Sequence, residues 1–248
     1  MGKNGTRRSK GRIIGIVALV IVVAALAGIV WFANSYSRAD ATALAALEDT
    51  ATVDVSEIDG AVVFAPDHPE AGFVFYPGAK VQPEAYAPFM RACAERGILG
   101  ILVKPPLNFA LLDTDAAERA IGNFPDIDQW IIGGHSLGGV AASECLAHHP
   151  DDFDALVLVA SYPTADLSGY TGAVVTIRGS NDTVLNIGKY EEARSKLPAG
   201  TIEIVIEGGN HAGIGNYGEQ ENDSAATIEQ EDQQAQTADA VEDLARAA

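Results

Sequence analysis

The chain has only two cysteines among its 248 residues, Cys93 and Cys145. Two thiols so far apart supply neither the framework of a disulfide-stapled domain nor the ligand spacing of a zinc site. Aromatic residues make up only 7%, and Lys and Arg together number 16 against 34 Asp and Glu, a net charge of −18. Five of those bases (Lys3, Arg7, Arg8, Lys10 and Arg12) stand in the first twelve positions, which hold no acid. The remainder keeps 11 basic and 34 acidic groups, a net of −23. A body this acidic repels phosphate backbones, which excludes nucleic acid as a partner. The bland role of the excess is solubility. Apolar residues at 48% exclude a disordered polymer, and the length fits one domain with a sizeable core.

Charge is missing altogether from Ile13 to Phe32, a run of 20 residues reading IIGIVALVIVVAALAGIVWF. That length spans a bilayer core as a helix. With the bases before the run and only Arg38 and Asp40 soon after it, the positive-inside rule puts the N-terminus in the cytoplasm and the rest outside. The expected organisation is a cytoplasmic basic segment (1–12), a transmembrane helix (13–32), a tether rich in Ala, Asp, Thr and Ser (33–60) with a short helix near Ala41–Leu47, and a catalytic body (61–248) held at the cell membrane. The rival is a cleaved signal peptide with Ala39 and Ala41 as its small-residue site. The apolar run is longer than signal peptides carry, which favours an uncleaved anchor.

The body alternates. Apolar, β-branched runs at Ala61–Phe64, Phe73–Tyr76, Gly100–Val103, Trp130–Ile132, Leu156–Ala160, Val174–Ile177 and Ile202–Ile206 are separated mostly by helical patterns at Pro83–Arg96, Asp115–Asn123, Leu137–His148 and Lys189–Lys196. A last helix follows the Thr227/Gln230 capping-box spacing. Such alternation predicts a mostly parallel sheet with helices on both faces. Cys93 and Cys145 then fall on helices of opposite faces, and no bond between them is expected. In such sheets active groups gather past the carboxyl ends of strands, and the unusual residues stand there.

Gly134-His135-Ser136-Leu137-Gly138 matches G-x-S-x-G between an apolar run and a helix, the context of a nucleophile on a sharp strand-to-helix turn. A serine hydroxyl needs a base to take its proton. Of five histidines, His68 lies in an early turn, His148 and His149 lie too far along the following helix, and the side chain of His135 is expected to point away. His211 sits just past a late strand at the correct edge. Asp182, past the preceding strand, is the acid that would orient it, with Asp166 the fallback. The order Ser136, Asp182, His211 suits this arrangement. The backbone N–H groups of Leu137 and Ala79 are the expected oxyanion donors; Lys80 is read as solvent-facing. Each residue alone has a duller reading, as a turn Asp or a solvated His.

From about Ala61 onward the chain resembles the α/β-hydrolase superfamily. In Phe75-Tyr76-Pro77-Gly78, Gly134-His135-Ser136-Leu137-Gly138-Gly139 and Gly209-Asn210-His211 it resembles a compact bacterial, membrane-anchored subgroup (fold-5-like). The resemblance implies a Ser–His–acid triad and hydrolysis of an ester-like bond in a small-molecule acyl substrate, with no cofactor and no metal. Ala79 departs from a glycine common in that subgroup, though a backbone donor survives the change. Other expectations for the same residues are a non-catalytic scaffold on this fold, or an envelope lipase or amidase. The twelve residues from Ser161 to Gly172 barely make a crossover, so no cap domain is expected, and short acyl esters should be cleaved at least as well as long ones.

Overall fold

The computed structural model describes residues 5–58 and 60–247. They form two units, which divide at Tyr36 and Ser37. The first unit is the helix α1 (Gly5–Asn34). Within it Gly15–Asn34 has a mean hydropathy of 2.9, long and apolar enough to cross a membrane. Its large apolar side chains from Ile16 to Phe32 are all exposed on the chain itself, and a helix hydrophobic all round has no polar face to leave in water. Lys3, at the start of the basic segment, lies outside the described residues.

The second unit is built on one eight-stranded sheet. Its strands are β1 (Val53–Ile58), β2 (Ala61–Pro66), β3 (Ala71–Tyr76), β4 (Ile98–Val103), β5 (Trp130–His135), β6 (Ala155–Val159), β7 (Ala173–Gly179) and β8 (Ile202–Ile206). The spatial order is β1-β2-β4-β3-β5-β6-β7-β8. The first two strands pair antiparallel and every pairing from β4 to β8 is parallel. The helices are α2 (Ala41–Ala45), α3 (Ala87–Ala94), α4 (Ala116–Ile121), α5 (Leu137–His148), α6 (Ile187–Ala193) and α7 (Gln230–Ala247).

Strands β3, β4 and β5 are buried at every position, because helices cover both faces. On one face α3 and α7 pack over Phe73, Phe75, Tyr86 and Phe89, with Phe75 and Phe89 edge-to-face at 5.2 Å between centroids. Each fully buried ring contributes about 1.5–3 kcal/mol relative to exposure. On the other face α4 and α5 bring Ala117, Ala141, Ala142 and Leu146 against Val74 and Ile132. Cys93 lies in the first layer and Cys145 in the second, and both are free, buried thiols. Among the described residues no cap domain rises from the carboxyl edge.

The stretch expected to be a tether is largely part of the body. Val53–Ile58 is strand β1, an edge strand with alternating partial burial. Asp40 N-caps α2 through a 2.8 Å bond from the Ala43 amide. Ser37 forms a parallel bridge with Val81. The polar residues of β1, Asp54, Ser56 and Glu57, hide its period of two and suit an exposed sheet edge.

Candidate active site

Strand β5 and helix α5 leave no loop between them except Ser136. It adopts φ 53°, ψ −121°, in the left-handed half of backbone space that a serine occupies only when its surroundings force it. Two things force it here. The Ser136 amide bonds the Val159 carbonyl at 2.9 Å, and the Ser161 hydroxyl donates to the Ser136 carbonyl at 2.6 Å. The turn also brings backbones into contact. A Cβ on Gly138 would lie 2.2 Å from the Tyr76 carbonyl oxygen and 2.4 Å from that of Pro77, and one on Gly134 would lie 2.4 Å from the Gly138 backbone. Only hydrogen fits at either position.

The loop after β7 carries Asp182. Its Oδ1 accepts from the amides of Val184 (2.9 Å) and Leu185 (2.8 Å). Its Oδ2 lies 2.9 Å from Nδ1 of His211, which follows β8. Both side chains are essentially sealed from solvent, at 1% and 2% exposure. A carboxylate only accepts, so Nδ1 is the donor of this pair, an arrangement that leaves the lone pair of a neutral imidazole on Nε2. That Nε2 is buried and makes no hydrogen bond among the described residues. Ser136, Leu137 and His211 share the wall of one cleft of about 170 Å³, with Val140, Val184 and Leu185 as its apolar lining.

The histidine loop is braced from two sides. Asp223 Oδ2 accepts from the Ala212 amide at 2.9 Å. Gln233, from α7, accepts from the Asn210 amide at 3.0 Å and donates to its carbonyl at 2.8 Å. Nothing in the sequence pattern points to these braces.

His135, set aside on sequence grounds, turns inward. Its ring lies 4.6 Å from that of His211, and its Nδ1 is 2.9 Å from the Tyr86 hydroxyl. That hydroxyl also accepts from the Gly78 amide at 3.0 Å. Burial, and next the nearby His211, hold His135 well below the ordinary imidazole range. It is therefore neutral. Tyr86 thus ties the Pro77-Gly78-Ala79 loop to the serine turn. Leu137 borders the cleft with Ser136; Ala79 is not among its walls. Asp166 is exposed, and it accepts from the Ser168 amide at 3.0 Å. Lys104 pairs with Glu57 and Glu84. Among the described residues no three His, Cys, Asp or Glu side chains converge as metal ligands would.

Residues 72–235, about two thirds of the chain, match the model of the alpha/beta hydrolase family. The chain belongs to that family. This α/β hydrolase also shares its fold with solved structures of low identity. The esterase domain of a Rhodothermus marinus protein superposes with a TM-score of 0.57 at 14% identity, over 75% of this chain and 92% of that one. An S-formylglutathione hydrolase from Agrobacterium tumefaciens gives 0.54 at 14%, over 80% and 97%. A CIB-like hydrolase from Thermoplasma acidophilum gives 0.52 at 17%, over 77% and 98%. Among curated proteins none matches the chain. The family match makes the chain an α/β hydrolase, and these neighbours share its fold.

Proposed function

We propose that the chain is a membrane-anchored serine hydrolase that cleaves a carboxylic ester or related acyl bond outside the cytoplasm. The observation that carries this is the buried His211–Asp182 pair at 2.9 Å, in a cleft shared with a serine at φ 53°.

Ser136 Oγ attacks the acyl carbon while Nε2 of His211 takes the hydroxyl proton. The carbonyl electrons move onto oxygen, and the amides of Leu137 and Ala79 hold the oxyanion. Leu137 is suited to this because the first amide of a helix has no intrahelical acceptor. The tetrahedral species collapses, the C–O bond to the alcohol breaks, and His211 returns the proton to the leaving oxygen. Water, deprotonated by the same nitrogen, then releases the acid from Ser136. Asp182 stays ionised throughout, fixing the tautomer and stabilising the imidazolium.

The membrane reading rests on the apolar stretch of α1 and on the bases that precede that stretch. Ser37 and Asp40 are built into the body by hydrogen bonds, so cleavage at Ala39 or Ala41 would strip away integral structure. That favours an anchor over a removable signal.

The test is labelling by a fluorophosphonate probe, followed by an ester panel. The full chain is expected to take the probe at one site, and Ser136→Ala to stay folded and unlabelled. Labelling that survives Ser136→Ala removes the nucleophile assignment. Carbonate-resistant association, with the body open to external protease, is expected for the anchor; a mature N-terminus at Thr42 or later overturns it.

A further inference from the structure

The first residues beyond α1 are stitched to both loops of the candidate site. Ser37 donates its amide to the Lys80 carbonyl at 2.7 Å and accepts from the Gln82 amide at 2.8 Å. The Ala39 amide bonds the Gln82 side chain at 3.1 Å. The Asp40 amide bonds the Asn216 carbonyl at 2.9 Å, five residues past His211. Lys80 is next to Ala79. The chain thus joins the body at its carboxyl edge, beside the cleft. Only Ser35 and Tyr36 separate Asn34, the last residue of α1, from Ser37. Three Cα steps reach at most about 11 Å, whatever direction they take.

The same edge carries an unusual concentration of exposed apolar side chains. The loop that leaves β4 bonds back to this stitch, the Lys80 amide donating to the Asn108 carbonyl at 2.7 Å. In it Leu107 and Asn108 both take left-handed backbone, φ 56° and 54°, a costly conformation for leucine. Leu107, Leu111 and Leu112 are 43%, 38% and 55% exposed. Ile187, next to the cleft-lining Asn186, is also exposed, and it follows β7, on the other side of β5 in the sheet. Among the described residues, of the large apolar side chains exposed outside α1 only Leu44, Ile202 and Val205 stand apart from this set.

We propose that the carboxyl edge of the sheet docks on the lipid bilayer, with the Leu107–Leu112 loop lying in the headgroup region. The cleft then receives its acyl ester from an amphiphile dissolved in that leaflet. This rests on the readings of α1 as a membrane anchor and of the cleft as a hydrolase site. It explains why no cap covers the cleft: the leaflet supplies the apolar surroundings that a cap would. It also assigns a role to backbone strain that turns a leucine toward solvent.

The test uses the full chain in phosphatidylcholine vesicles containing phosphatidylcholine spin-labelled near its headgroup or along its acyl chain. Cys93 and Cys145 are fully buried, so single introduced cysteines can carry an environment-sensitive fluorophore. Leu112→Cys reports the loop, Asp126→Cys the opposite edge, and Ala25→Cys the helix. The expected result is strong quenching at Ala25 by the chain label, and quenching by the headgroup label several-fold greater at Leu112 than at Asp126. Quenching at Ala25 with equal signals at Leu112 and Asp126, high or low, overturns the docking surface and leaves the anchor standing. No quenching at Ala25 removes the anchor, and the proposal with it. None of these signals depends on turnover, so failure of the hydrolase reading would show separately, in the probe labelling.

Discussion

His135 and His211 lie with their ring centroids 4.6 Å apart, and both are buried. Two imidazoles in that position cannot both be charged without strong mutual cost. In the proposed mechanism His211 becomes an imidazolium, and the neighbouring His135 is held neutral by burial and, next, by His211 itself.

The first prediction is a pH dependence of stability. The folded-state pKa of His135 is depressed below that of the unfolded chain, about 6.5. Above that pH neither state is protonated there, and the stability is intact. Below it the unfolded state binds a proton that the native state does not, so stability falls as pH falls. The limiting slope is about 1.4 kcal/mol per pH unit for this one group. His135→Gln keeps a polar group for Tyr86 and removes the titration. Thermal melts from pH 7.5 to 5 should show the wild type losing stability faster than the variant. Parallel curves would mean that His135 is not held neutral.

A second prediction concerns strain. Ser136→Ala and Ser136→Gly should both lose ester turnover by at least about 10⁴-fold, since the proposed nucleophile is gone. They should differ in stability. Glycine accepts positive φ without penalty and alanine does not, so Ser136→Gly should be the more stable by about 1 kcal/mol. Denaturant midpoints measure this, and equal midpoints would contradict a strained turn.

The acid separates chemistry from folding. Asp182→Asn keeps an oxygen for the Val184 and Leu185 amides but presents the wrong partner to His211. Turnover should fall by about 10⁴-fold with little change in melting temperature. Asp182→Ala should lose activity similarly and also strand two amides, each costing about 1–3 kcal/mol if left without a partner. Near-normal turnover in Asp182→Asn would point to another carboxylate.

Gly138→Ala should be far worse than its one added carbon suggests. The new Cβ meets two carbonyl oxygens of the Tyr76–Pro77 backbone, which cannot retreat without moving the loop that carries Ala79. Soluble yield and melting temperature should drop sharply, whereas Gly200→Ala, with open space around it, should be close to neutral. Unchanged stability in Gly138→Ala would show that the turn relaxes easily.

The bounds of α5 and the neighbourhood of Ser136, Asp182 and His211 were legible because each residue stands within about five positions of the end of a strand-like, mostly apolar run. A parallel sheet brings such positions to one edge. Strand β1 was not legible. Only Val53 among its six residues is fully buried, and an edge strand half in water reads like a linker. The contacts of His135 were not legible either. They join residues 49 and 76 positions away, and no local period encodes that a tyrosine on the turn before α3 will meet a histidine at the end of β5.

A last prediction follows from the cleft. At about 170 Å³ it is smaller than pockets that enclose drug-sized ligands. Once its short apolar wall is filled, further methylenes gain nothing of the ~0.8 kcal/mol that burial of each would bring. For monomeric esters in detergent-free solution, kcat/KM should therefore level off early in an acyl-length series. A steep rise toward decanoyl esters would require a wall that the body does not have.

The sheet keeps Cys93 and Cys145 in separate layers, and burial pushes both thiols up, that of Cys145 to about 11. Neither forms appreciable thiolate in the folded chain, and neither can reach the other. An oxidising solvent finds no thiol to attack until a molecule opens. Loss of free thiol over time would then act as a clock for unfolding, counting excursions from the native state one molecule at a time.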